Sequence, residues 1–207
     1  MKTWSLTARG LALATLMLCP LHASDDAKRT WTFDDDQAGV IAKGFTNLVG
    51  EWKVAASDRG RALEQSAKNP NSVFNVTLAS DTSAKDVDLT VRMKALAGEH
   101  DQGGGLVWRA KDAKNYYLVR YNPLEDNYRF YKVVDGKRVL IQNADIAHAD
   151  GWHVLRAEMT GEHVMCYYDG KKYIDVKDLT FTEAGKIGLW SKADAQSQFD
   201  DLTLAGK

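Results

Sequence analysis

Between Trp31 and Leu204 the chain alternates apolar and polar residues with a period of two. In Val87-Asp88-Leu89-Thr90-Val91-Arg92-Met93-Lys94-Ala95 every odd position is apolar and every even one polar, and Phe74, Val76 and Leu78 alternate with Asn75 and Thr77 in the same way. Successive side chains of a strand point to opposite faces, so such runs predict strands with one buried face. Turn signals separate the runs: Asp58-Arg59-Gly60, Asn69-Pro70-Asn71, Asn122-Pro123, Asp135-Gly136, Thr160-Gly161 and Asp169-Gly170. The Asp-Gly pairs are the sharpest, because a type I′ hairpin turn requires positive φ at both central residues. No segment carries a helical period, so nothing is available to cross over between parallel strands. The predicted fold is all-β, an antiparallel two-sheet β-sandwich of about a dozen short strands.

The first residues break this pattern. Lys2 and Arg9 precede the apolar run Leu11 to Leu18, which is followed by Pro20 and the small residues Ala23 and Ser24. A charged start, a short apolar stretch and a small-residue cleavage site predict a secretory signal peptide over 1–23. The run is well short of the ~20 residues a spanning helix needs, so membrane insertion is not expected. The protein is expected to be exported, to a periplasm or to the cell exterior. Residues 24–30 read as a polar lead-in and 31–205 as a single domain, since no Pro-rich or Ser/Gly-rich linker and no repeat interrupts them. Cleavage after Ala23 leaves 25 basic against 28 acidic residues. That balance speaks against a nucleic-acid partner, which favours a basic surplus. It also leaves Cys166 as the one cysteine, so the core must hold the domain without an internal disulfide.

Candidate chemistry concentrates between Gly105 and Val134, which reads as three consecutive antiparallel strands. If Arg109 faces Tyr116 and Arg120 faces Arg129 across the two hairpins, one face carries Leu106, Trp108, Tyr117, Val119, Tyr121, Tyr128 and Phe130, a core. The other carries Arg109, Tyr116, Leu118, Arg120, Arg129 and Tyr131. Tyrosine rings stack on sugars, and arginine offers forked donors to hydroxyls, carboxylates or sulfates. Arg109, Tyr116, Arg120, Arg129 and Tyr131, with Trp190 and Lys192 at the rim, are therefore the candidate ligand platform, suited to a neutral or anionic carbohydrate. The competing reading is a solvated face on which neighbouring carboxylates pair with each arginine.

Two acidic clusters lie near the ends of the domain: Asp34, Asp35 and Asp36 after the first strand, Asp200 and Asp201 before the last. If those strands are neighbours, the clusters supply hard oxygen ligands for a structural calcium ion; the alternative is ordinary turn residues and pairs with Lys or Arg. No other cofactor is indicated, and His100, His148, His153 and His163 have no metal-site spacing. Glu125, Asp126 and His153 are the candidates for acid–base chemistry, although His153 alternates with Leu155 and Ala157 as a core-edge histidine would. Gly103-Gly104-Gly105 precedes a strand, so it reads as a place of close backbone approach and not as a phosphate loop.

Three segments together resemble the concanavalin A-like jelly rolls, in the branch shared by laminin G-like domains and bacterial 3-keto-disaccharide hydrolase-like proteins. They are Gly103-Gly104-Gly105-Leu106-Val107-Trp108-Arg109 leading into Asn115-Tyr116-Tyr117-Leu118-Val119-Arg120, Gly151-Trp152-His153 through Tyr168-Asp169-Gly170, and Gly185-Lys186-Ile187-Gly188-Leu189-Trp190 through Phe199-Asp200-Asp201. The resemblance implies two curved antiparallel sheets, sugars bound on the concave one, and first and last strands side by side. The Glu-x-Asp-x-x-Glu triplet of jelly-roll glucanases does not occur here, and Leu118 or a neighbour stands where the 3-keto-disaccharide hydrolase-like proteins carry an acidic residue. The expected function is a non-catalytic, carbohydrate-binding jelly roll. A 3-keto-glycoside hydrolase and a laminin G-like adhesion module stand beside it as alternatives.

Overall fold

A computed structural model of the protein describes Met1 and residues 28–205; the rest of the segment read as a signal peptide, and most of the lead-in, lie outside them. The described chain is entirely strand and turn, so it contains no helix long and apolar enough to cross a membrane.

Among the described residues fifteen strands form two antiparallel sheets. The first sheet runs β13 (Lys171–Lys177), β12 (His163–Tyr168), β11 (Trp152–Thr160), β6 (Val87–Ala97), β15 (Gln196–Ala205), β4 (Gly60–Gln65) and β3 (Trp52–Ser57). β1 (Arg29–Trp31) also pairs with β15, with Arg29 opposite Leu204, so the first and last strands are neighbours as expected. The second sheet has seven strands: β10 (Lys137–Asp145), β9 (Asn127–Val134), β8 (Asn115–Asn122), β7 (Gly104–Asp112), β14 (Lys186–Lys192), β5 (Phe74–Ala79) and β2 (Phe45–Val49). The Asp-Gly turns form as their chemistry requires: φ is 49° and 79° at Asp135 and Gly136, and 47° and 80° at Asp169 and Gly170.

The core lies between the sheets. The inner face of the seven-stranded sheet presents Leu106, Trp108, Tyr117, Val119, Tyr121, Tyr128 and Phe130 to Leu89, Val91, Leu155 and Phe199, with Cys166 buried among them. Trp108 stacks on Phe130 at 5.5 Å with their planes 10° apart. A second apolar cluster, with Val76, Leu78, Val107, Tyr116, Leu118, Tyr131 and Trp190, covers the outer face of the same sheet. Large aromatic side chains packed on an outer face remove it from solvent.

In β5 the period is two but the face is reversed. Val76 and Leu78 belong to the outer cluster, while Thr77 pairs with Leu189 of the core and is buried beside Asn75. The two polar side chains are satisfied locally: Thr77 Oγ1 donates to the Thr46 carbonyl at 3.1 Å and Asn75 Nδ2 to the Ala193 carbonyl at 3.2 Å.

Candidate functional site

On the outer face of the seven-stranded sheet the register aligns Trp190 (β14), Gly105 (β7), Arg120 (β8), Arg129 (β9) and Asn143 (β10) in one transverse row. Gly105 puts no side chain into the row, and a Cβ there would lie 1.9 Å from the Val119 carbonyl oxygen. The glycine is therefore fixed by the close approach of β7 to β8. The pairing of Arg120 with Arg129 follows the expected register; two like charges directly opposite one another are unfavourable unless something neutralises them.

Glu125 does so. The turn that carries it is shaped by Asn122, whose Oδ1 accepts from Leu124 N at 3.0 Å, and by Asp126 at a φ of 50°. Glu125 Oε2 accepts from Arg120 Nη2 at 2.8 Å, Arg129 Nη1 at 2.9 Å and Asn127 Nδ2 at 3.1 Å. Burial works against its charge, but Arg120, Asn127 and Arg129 outweigh it and hold the carboxyl down to about 2. For Arg120 burial likewise opposes the charge, and Asp101, Tyr131 and Glu125 more than restore it.

Asp101, from the loop before β7, closes the other side. It is fully buried; its Oδ1 accepts from Gly103 N at 2.6 Å and Asn122 Nδ2 at 3.2 Å, and Lys192 Nζ stands 3.4 Å from Oδ2. Lys192 also donates to Asn71 Oδ1. Arg138, from β10, reaches back over the aromatic cluster, 4.5 Å from the Tyr131 ring centroid, 5.2 Å from Phe74 and 5.6 Å from Trp190. Beneath it Trp190 Nε1 donates to the Tyr116 hydroxyl at 3.2 Å. Tyr116, Tyr131 and Trp190 are thus buried, not open to solvent as a stacking surface.

The distribution of unmet hydrogen-bonding groups is uneven. Among the described residues eight buried side-chain polar atoms have no partner, and five of them lie here: Arg120 Nε and Nη1, Arg138 Nη1, Asp101 Oδ2 and Asn127 Oδ1. Native interiors leave few such atoms, and a cluster of them demands an explanation.

Arg109 is a correction. It does not face Tyr116, because β7 bulges between Trp108, which pairs with Tyr117, and Asp112, which pairs with Asn115. Arg109 takes a φ of 46° in the bulge, and its side chain is re-aimed away from the platform. Its Nε donates to the Lys85 carbonyl at 2.6 Å, Nη1 to Phe181 O at 2.6 Å, and Nη2 to Gly161 O at 2.8 Å with Asp86 Oδ1 at 3.4 Å.

The other candidates lie apart from the cluster. Asp126 is an exposed turn residue whose carbonyl accepts from Ile146 N. His153 is buried on β11, with Nδ1 2.8 Å from Asp169 Oδ2, Nε2 3.0 Å from the Ala149 carbonyl, and its ring stacked on Tyr168. The adjacency of β1 and β15 does bring Asp34 near Asp200, whose pKa is raised by burial and by the charges of Asp201 and Asp34. Basic residues occupy these carboxylates, however: Asp201 pairs with Arg59 and Arg92, Asp200 with Arg59, and Asp34 Oδ1 accepts from Arg61 N. Asp35 and Asp36 line a surface groove with Arg29 and Lys43. Among the described residues no three His, Cys, Asp or Glu side chains converge to hold a metal ion.

Asp101, Asn127 and Arg138 belong to the cluster without having been picked out by the sequence pattern. Arg138 had a readable signal: the two-residue Asp135-Gly136 turn sets it opposite Val133, which pairs with Tyr116.

No family model matches the chain. A levanase of Bacillus subtilis (strain 168) is 28% identical over 204 residues, covering 94% of this chain and 26% of that protein, so the chain spans about a quarter of its relative's length. Among solved structures, carbohydrate binding module CBM66 from Bacillus subtilis superposes with a TM-score of 0.69 at 24% identity, over 83% of this chain and 99% of that one. The Bacillus licheniformis β-glucanase superposes with a TM-score of 0.60 at 11% identity, over 86% and 98%. These likenesses define the class: the fold is a concanavalin A-like β-sandwich, a jelly roll.

Proposed function

We propose that the recess around Arg120 binds a carbohydrate and performs no reaction on it. The reading is carried by the five unmet buried polar atoms gathered there. Vacant donors on Arg120 and Arg138 stand beside vacant acceptors on Asp101 and Asn127, and a saccharide hydroxyl both donates and accepts. Recognition is by hydrogen bonding more than by ring stacking, because the aromatic side chains are already covered. The partly exposed members, Glu125, Arg129, Arg138 and Lys192, lie on the solvent side of the cluster, where a ligand would meet them first.

Two further points support the reading. Glu125, the carboxylate bonded to both paired arginines, is held ionised at neutral pH and has three donors on Oε2, so it has no proton to give as a general acid. The likeness to a levanase over a quarter of that protein and to a carbohydrate-binding module supports sugar as the ligand class. We further propose export by the leader at 1–23; N-terminal sequencing of the exported protein is expected to begin near Ser24.

The test is a thermal-shift and calorimetric screen of the protein against oligosaccharides, levan among them. One sugar class is expected to stabilise it, by about 2.7 kcal/mol at 100 times its Kd, and Arg120→Met is expected to abolish that response. A flat response to every sugar, or binding that survives Arg120→Met, overturns the site. Appearance of a new saccharide product overturns the non-catalytic part.

A further inference from the structure

The charges in the recess do not balance. Arg120, Arg129, Arg138 and Lys192 face two carboxylates, Glu125 and Asp101. Glu125 is shared by Arg120 and Arg129, and Asp101 is matched by Lys192. Among the described residues Arg138 has no carboxylate within ion-pair distance. It is half-buried, its Nη1 is fully enclosed with no acceptor, and it lies over three aromatic rings near the guanidinium of Arg120. Burial works most strongly against its charge and the repulsion of Arg120 adds to it; Tyr131 and the more distant Asp101 and Glu125 favour the charge without restoring it. Cation–π contacts return part of the cost, but they satisfy no N–H donor. An arginine spent only on packing would be expected to find a carboxylate or carbonyls, as Arg109 does within the same sheet.

We propose that Arg138 is the specificity-determining residue of the recess and that it selects an acidic sugar, one bearing a carboxylate or sulfate group that Arg138 and the vacant donors of Arg120 hold together. The inference rests on the carbohydrate reading of the same site and sharpens it. Two guanidinium groups near the Tyr131 ring, at 4.5 Å and 5.9 Å from its centroid, offer several N–H donors to the oxygens of one anion. This is the geometry in which arginine outperforms lysine. The acceptors Asp101 Oδ2 and Asn127 Oδ1 remain for the hydroxyls of the same residue. An anion also removes the repulsion between Arg120 and Arg138, which a neutral sugar leaves in place.

The experiment uses matched pairs: uronic-acid oligosaccharides beside their carboxyl-reduced counterparts, and sulfated ones beside their desulfated counterparts, titrated calorimetrically into the full chain at two salt concentrations. In at least one pair the acidic member is expected to bind tenfold or more tightly, with a preference that shrinks at high salt; which kind of pair responds separates carboxylate from sulfate. Arg138→Met keeps an unbranched apolar stem over the rings and is expected to erase the preference, weakening the acidic member by tenfold or more and the neutral member by less; Arg138→Lys is expected to keep part of it. Circular dichroism and the unfolding midpoint establish that each variant is folded. If neutral members bind as well as acidic ones, or if Arg138→Met leaves the preference unchanged, this inference fails and the carbohydrate reading stands. If no member of any pair binds, both fail.

Discussion

Arg109 and Arg120 lie eleven positions apart, on neighbouring strands of one sheet, and their side chains are 2% and 0% exposed. They are in opposite states. Arg109 donates to three backbone carbonyls drawn from the loop before β6, the β11–β12 turn and the segment before β14. It ties three connections to the end of the sandwich. Arg120 spends Nη2 on Glu125 and keeps Nε and Nη1 unpaired. Burial of the charge therefore does not separate the two arginines; saturation of their donors does.

The contrast breaks first on stability. Arg109→Met removes the donor to three carbonyls and is expected to cost about 3–5 kcal/mol, as for other buried charges that lose a partner set, read as a fall in the urea midpoint, while sugar affinity of the folded fraction is unchanged. Arg120→Met is expected to cost less, about 1.5–3 kcal/mol, the scale of a hydrogen bond between charged groups, because Asp101 keeps Gly103, Asn122 and Lys192, and Glu125 keeps Arg129 and Asn127. That variant loses the ligand instead. If Arg120→Met is the more destabilising of the two, the contrast is wrong. The smallest effect is in pH. The folded-state pKa of Glu125 lies near 2, against an ordinary 4.5, so its contribution to stability is complete above pH 4.5 and is lost as pH falls toward 2. The stability gap between the natural protein and Glu125→Gln should close over that window in acid denaturation. A gap constant with pH would remove Glu125 from the network.

The strands and turns were legible because they follow from local rules. Period two in β6 and positive φ at Asp135-Gly136 need nothing beyond a few neighbouring residues. The register that pairs Arg120 with Arg129 and puts Tyr131 on the same face was legible for the same reason, since two hairpins fix it; that the rings are covered was not. Where longer-range packing decides, the reading failed in identifiable ways. In β5 alternation gave the period and not the face, because the outer surface of the sheet is itself covered by Trp190 and Phe74, so apolar Val76 and Leu78 point outward. At Arg109 a bulge cancelled the count that carries a side chain from one face to the other. Asp101 comes from a loop, and its place is set by Asp194, whose carboxylate accepts from the amides of Glu99, His100 and Asp101; residues about 95 positions apart give no periodic signal.

The pairing of β1 with β15 also has a mechanical meaning. Because the two strands run antiparallel with Arg29 opposite Leu204, a tether attached before β1 and one attached after β15 would leave the surface at the same point. Tension between them would open the ladder one rung at a time, as a zipper, in place of loading all its hydrogen bonds together in shear. Trp31, packed edge-on against Phe45, would be the first buried side chain of β1 to meet water.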